Sequence, residues 1–460
     1  MDAHADLNAK LAALLRAARN DTVHRLRELN IPLTVAKVET TVSRNPGDFN
    51  GWQSSRISIQ QNILSTSNLP FRDLAPLLTS ETISLISESV SEILDSFRSH
   101  LPFFSPFASH GRLLTTSTSD RGDSPSPTFD EDEVEWTIQH LLVPALWEHL
   151  ANLPGLRPVS HQAARSLASD VLAVAEADDL SYKLTIPLSG IAVKSRITAP
   201  REQVAIRPLT AKEQGSLIDD WGIASTNFGI TALPLAALEL TIRTGRTAQN
   251  PDPREFASKW LCALFLNDYD VAGYRARLRG DPSWVFPGSM QMPLSLPSQP
   301  TSWPNITSPK LSNIIETVKR LDRYSISNPH SEHDLALHRF SSGVARASHV
   351  DGVLDFVIAL ESLLLPYDEN ARRGELGYRF RIHGAHLLSA TKSQRRQTAR
   401  QLSDLYSLRS RLVHGSSYPS SAEIEVAWTN AKDFARRGLY HAVMDRFPTI
   451  EQFNNMVLDT

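Results

Sequence analysis

The sequence predicts an α+β protein: a C-terminal all-α bundle preceded by a mixed α/β region with a small antiparallel sheet. Three observations carry this. Leucines recur at three- and four-residue steps in the C-terminal third, as one helix face requires. In the middle of the chain the period shortens to the alternation of strands, as in Leu180–Val193, Gln203–Arg207 and Ala237–Arg243. Two stretches rich in Ser and Pro, near residues 99–133 and 281–309, interrupt the periodic segments.

At 460 residues the chain is long enough for two or three domains. The expected division is a mostly helical segment over 1–98, a flexible linker or loop over 99–133, and a mixed, sensor-like or regulatory domain over 134–280. A Pro- and Ser-rich connection over 281–309 then leads to a helical domain over 310–460. Residues 3–29 place Leu7, Leu11, Leu14, Leu15, Val23, Leu26 and Leu29 among charges, an amphipathic helix expected to pack on its own domain. Ile31–Arg44 alternates with β-branched residues and reads as a strand, and a helix is expected near Ser80–Phe97. Thr116–Pro127 holds too little apolar surface to order itself. Helical spacing resumes over 134–178. Thr210 and Glu213 have the spacing of a capping box and start a helix; Asp252–Leu266 reads as another, and Tyr274–Arg279 as a strand.

Hydrophobic residues at 41% and charged residues at 21% describe an ordinary globular chain, and a net charge of −3 argues against wholesale coating of nucleic acid or membrane. From Asn370 to Arg446, however, 14 Lys or Arg face 6 Asp or Glu, a net of +8. That excess suits a polyanion partner, although solvated helix faces give the same count. Cys262 is the single cysteine, so no disulfide framework or cysteine-rich zinc site is expected. No signal-peptide pattern or long uncharged apolar run stands out, and a cytoplasmic location without membrane contact is expected. Walker and Rossmann fingerprints and the His-Glu-x-x-His zinc signature are missing, and no cofactor is expected. His383 and His386 stand one helical turn apart, an acceptable metal spacing without an obvious third ligand; no metal site is expected. His330, His333 and His338 surround a helix start and read as solvated.

The stretch Leu402–Gly415 concentrates the chemistry. Leu402, Leu405, Leu408 and Leu412 form one face, and Gly415 is suited to end the helix. Arg409 falls inside the apolar stripe, where an unpaired guanidinium is costly, and His414 falls in the last turn. Histidine serves as acid or base near neutral pH, and arginine binds two phosphate oxygens at once. A five-residue step turns the two side chains about 140° apart on a straight helix, so they converge only if the helix end distorts or a second copy contributes. Glu361, among Val357, Ile358, Leu364 and Leu365, needs a cationic partner, and Arg409 or Arg379 can supply it. Such a pair fits either a structural clamp or an oriented site. Tyr406 fits stacking on a base or packing beside the leucines.

Three helices resemble the Apea-like HEPN family in order and content. Asp351–Leu365 looks like its Ala-Leu-Glu helix, Glu375–Leu388 its next, and Tyr406–Gly415 its third, with Arg409 and His414 in the family's Arg…His spacing. The resemblance covers about residues 330–446. It implies a metal-independent endoribonuclease acting as a homodimer, in which both copies of the motif line one cleft. His414 would be acid or base, Arg409 would stabilise the phosphate, and Ser410 would assist, with Glu361 and Tyr406 in support. Arg411, together with Arg379 and Arg381 on the preceding helix, would contact RNA. By the same implication the N-terminal region senses an unidentified trigger and the protein serves antiphage defence. The competing expectation is a non-catalytic HEPN dimerisation, adaptor or RNA-binding protein. A final helix is expected over Ser421–Arg446, with Ala427, Ala431, Phe434 and Ala442 facing inward.

Overall fold

A computed structural model describes residues 2–28, 34–44, 52–62, 160–177, 179–220, 233–245, 253–273, 276–281, 290–292, 303–346, 348–365, 376–415, 418–449, 451–453 and 455. The helix expected near Ser80–Phe97, the segment 99–133 and the helical spacing before residue 160 lie outside the described residues. The protein is α+β, as its sequence predicts.

Helix α1 (Asp2–Glu28) buries Leu11, Leu14 and Leu15 and packs on α2 (His161–Glu176), which contributes Ala164, Leu167 and Ala168. Asn8 Nδ2 donates to Ser169 Oγ at 2.7 Å across the pair. Strand β1 (Thr34–Arg44) pairs antiparallel with β2 (Trp52–Asn62), Thr34 opposite Asn62 and Arg44 opposite Trp52.

The main sheet is built on β3 (Asp179–Ser189). Around it stand β4 (Ile197–Ala199), β5 (Val204–Pro208), β6 (Ala236–Gly245), β7 (Ala272–Gly273), β8 (Ala276–Asp281) and β9 (Met290–Met292). The strand order is β4-β5-β6-β3-β8-β9, with β7 also on β3, and every pairing is antiparallel. Tyr182, Leu184, Ile186 and Leu188 alternate along β3 and are fully buried. Register sets Leu184 opposite Leu240 and Ile186 opposite Leu238, so one face is apolar while Lys183 and Thr185 take the other. A one-residue slip would exchange the two faces, which pins the pairing. Helix α3 (Ala211–Asp220) begins with the expected capping box. The Thr210 backbone N–H donates to Glu213 Oε2 at 2.9 Å, and the Glu213 N–H to Thr210 Oγ1 at 3.2 Å. It crosses β1 so closely that a Cβ at Gly215 would collide with the Thr40 carbonyl. Within 281–309, β9 joins the sheet and Asn305 bridges Ala192.

The helical part starts from α4 (Pro253–Leu266) and α5 (Ser308–Leu321), which pack together. Then follow α6 (Glu332–Ala345), α7 (His349–Leu364), α8 (Leu376–Leu388), α9 (Lys392–His414) and α10 (Ser421–Val443). Four of these five starts have a described cap. Ser331 and Ser348 cap α6 and α7, and Thr391/Gln394 and Ser420/Glu423 form full capping boxes. Val353, Phe356, Val357 and Leu360 of α7 are fully buried, and α6, α8, α9 and α10 surround that helix. Buried residues of the sheet and of the bundle belong to one contiguous apolar cluster.

Two expectations change. The last helix stops at Val443 rather than Arg446, because Asp445 adopts a left-handed backbone (φ 56°) and is gripped by Arg320 and Arg323. His333 and His338 are half-buried rather than solvated: His333 sits between Tyr324 and Phe447, and His338 Nδ1 lies 2.9 Å from the Ile326 carbonyl. Among the described residues no helix is long and apolar enough to cross a membrane.

Candidate functional site

Helix α9 is unbroken from its capping box to Gly415, which takes a left-handed backbone (φ 65°, ψ 19°) and donates its N–H to the Arg411 carbonyl at 2.8 Å. Leu402, Leu405 and Leu408 are buried as the stripe predicts, and Leu412 packs at the edge of the core. The buried stripe fixes the rotation of the helix, and with it where each polar residue points.

Arg409 is turned toward α7. Its Nη2 stands 3.7 Å from Glu361 Oε2, with side-chain exposures of 32% and 20% respectively. Of the two candidates for Glu361, geometry selects Arg409. Burial pushes the Glu361 carboxyl above the usual range, and the Arg409 guanidinium pulls it only partly back. Desolvation therefore outweighs the pairing. Ser410 is half-buried beside Arg409.

His414 is exposed in the last turn, and among the described residues no hydrogen bond or ion pair joins it to Arg409. Tyr406 lies against α8: its ring centroid is 5.5 Å from that of Phe380, and its ring passes beside Gly377. Packing accounts for this ring. Arg411 Nη2 stands 3.5 Å from Glu423 Oε1, a surface contact that another anion can replace. On α8, Arg379 is half-buried, and Arg381 covers the ring of Tyr378 at 5.1 Å.

The structure thus unites Glu361 with Arg409 and leaves His414 open to solvent. His383 is a packed side chain. It is 2% exposed, its Nδ1 is 2.9 Å from the Leu364 carbonyl, and its ring stacks on Phe453 at 4.6 Å. No group of three or more His, Cys, Asp or Glu among the described residues is arranged around a common metal position.

Two features escaped sequence reading. Val413, Tyr418 and Val426, at 54%, 79% and 63% exposure, are large apolar residues left in solvent where α9 ends and α10 begins. A shallow cleft also opens between the end of α4 and the outer face of α10, beside Arg436, Arg437 and His441. The Arg-Arg and Tyr-His doublets, starting four residues apart, were its only trace in sequence. Comparisons with protein families, with curated proteins and with solved structures find no match to this chain.

Proposed function

We propose that the chain is a metal-independent endoribonuclease of the HEPN type, acting through a site shared by two copies. The observation that carries this is the placement of His414, exposed at the end of α9, five residues after an Arg409 whose guanidinium faces Glu361 at 3.7 Å. In the reaction His414 takes the proton of a ribose 2′-hydroxyl, the 2′-oxygen attacks phosphorus, and the bond to the 5′-oxygen breaks. A cyclic phosphate and a 5′-hydroxyl result, with the leaving oxygen protonated by the second His414. Arg409 neutralises charge on the phosphate oxygens, Ser410 assists, and Arg411, Arg379 and Arg381 bind the RNA backbone.

A second copy supplies what one helix cannot. Arg409 and His414 diverge by about 140° on an unbroken helix, and Val413, Tyr418 and Val426 are large apolar side chains exposed around the end of α9 and the start of α10. The N-terminal part would receive an unidentified trigger, and by the family resemblance the role would be RNA degradation in antiphage defence. The second reading, a non-catalytic adaptor or RNA-binding dimer, is favoured by the Arg409–Glu361 pair, which can serve as a clamp between α7 and α9 alone.

The test is cleavage of a mixed RNA substrate in EDTA, comparing the full chain with His414→Ala after sedimentation shows equal oligomeric state. Cleavage that leaves cyclic-phosphate ends and vanishes in the variant supports the nuclease. RNA binding without cleavage by dimeric protein favours the adaptor.

A further inference from the structure

We propose that the cleft between α4 and α10 is a binding site for a phosphate group, held by Arg436, Arg437 and His441 and guarded by Asp268. The cleft has a volume of about 260 Å³, suited to a phosphate bearing a small organic group rather than to a larger ligand. Arg436, Arg437, Tyr440 and His441 reach it from a single stretch of α10, and Asn267 and Asp268 from the end of α4. Three of the four α10 residues carry, or can carry, positive charge, and planar guanidinium forks match phosphate oxygens.

The two arginines are already set in place. Arg436 Nη2 is held by Asp433 Oδ1 at 2.7 Å, and Arg437 is fixed by Asp433 at 3.3 Å and by the Leu388 carbonyl. Arg436 Nη1 then faces Asp268 Oδ1 at 3.4 Å, a loose contact on a carboxylate that is 77% exposed. Asp268 sits at the helix end in a left-handed conformation (φ 67°), one that Asp and Asn tolerate better than most residues with a side chain. A loosely held surface carboxylate over a braced guanidinium occupies the place of an anion and can swing out.

His441 points the same way. Its half-buried imidazole is held below the ordinary range by burial, and Arg437 and Arg446 depress it further. Among the described residues, Arg437 and Arg446 act on it, and Arg436, Tyr440 and Asp268 line the same cleft. An arriving phosphate would reverse that field and draw a proton onto the ring. Because the cleft joins α4 to α10, such a ligand would tie the segment that follows the sheet to the bundle. The proposal is independent of the nuclease reading.

Isothermal titration of the full chain tests it, using inorganic phosphate, adenosine monophosphate and adenosine at constant ionic strength. Saturable one-site binding of phosphate or the monophosphate, but not of adenosine, is expected. Tighter binding of the monophosphate identifies an ester as the ligand, and equal binding identifies free phosphate. Arg436→Gln should weaken binding at least tenfold. Asp268→Asn, which keeps a residue tolerant of the left-handed backbone, should strengthen it severalfold. His441→Gln should abolish the proton uptake measured by repeating the titration in buffers of different ionisation heat. If Arg436→Gln melts far below wild type, Asp268→Asn decides alone. No saturable binding of either phosphate compound, or an Asp268→Asn variant that binds no more tightly than wild type, would overturn the proposal.

Discussion

Replacing Glu361 by Gln separates an orienting ion pair from a structural one. At 3.7 Å the attraction between Glu361 and Arg409 amounts to about 1 kcal/mol if screened as in water and about 4–5 kcal/mol at the effective dielectric of a half-buried site. The raised Glu361 carboxyl shows that desolvation exceeds this attraction. Removing the charge therefore relieves roughly as much as it forfeits, and Arg409, 32% exposed, regains water instead of being stranded. The expected loss of stability at pH 7 is within about 1 kcal/mol, well under the roughly 3–5 kcal/mol of breaking a fully buried pair. The sign of the pH dependence follows from the same shift. An acid raised on folding contributes most at pH below its unfolded value, near 4.3, and that contribution fades as pH rises through the folded one. Wild type should thus gain on Glu361→Gln as pH falls from 7 toward 5. Urea midpoints of both proteins across that range measure the difference, and RNA cleavage is read in parallel. Under the nuclease reading cleavage drops tenfold or more while the midpoint barely moves. A loss above about 3 kcal/mol with a proportional loss of dimer would refute the reasoning and make the pair a clamp.

Two further predictions rest on the bundle. A Cβ at Gly384 would stand 2.5 Å from Leu402 Cδ1 and 3.0 Å from Leu364 Cδ1. Gly384→Ala should therefore lower stability by about 1–3 kcal/mol through overpacking, and an unchanged urea midpoint would show that α8 does not approach α7 and α9 so closely. The His383 imidazole is held below the ordinary range by burial, with Arg379 and His386 adding and the Leu364 carbonyl opposing. A base lowered on folding contributes stability fully present above its unfolded value, near 6.5, and lost as pH falls below it. His383→Phe, which retains a ring against Phe453, should flatten the fall in melting temperature between pH 7 and 5; an identical slope would contradict this.

Local rules made much of the fold legible. The Leu402, Leu405, Leu408 spacing, the Thr210–Glu213 box, Gly415 and the alternation of β3 each act within a few residues, and each sits where its rule puts it. Strand β2 did not stand out, since Trp52–Asn62 is mostly Gln, Ser and other polar residues. Its ladder is completed by β1, and Ile57 remains 44% exposed. His333 looked solvated because its sequence neighbours are polar, yet Phe447, more than a hundred residues later, covers it. The α10 cleft was illegible for the same reason: Asp268 and Arg436 meet only through the packing of α4 against α10.

The site itself was half legible, and α9 explains which half. The apolar stripe fixed that Arg409 must face the core, and charge compensation narrowed its partner to one carboxylate; a distance between helices was needed to choose Arg409 over Arg379. Where His414 points follows from the helix being unbroken. The helix runs unbroken through residues 409 and 414, and regular helical geometry sets the two about 140° apart. Within one chain this spacing keeps Arg409 and His414 on different faces of α9. Arg409 lies against α7 and His414 is exposed to solvent. Under the proposed nuclease reading, a neighbour docked over the exposed Val413, Tyr418 and Val426 would bring a second His414 to the phosphodiester that Arg409 holds.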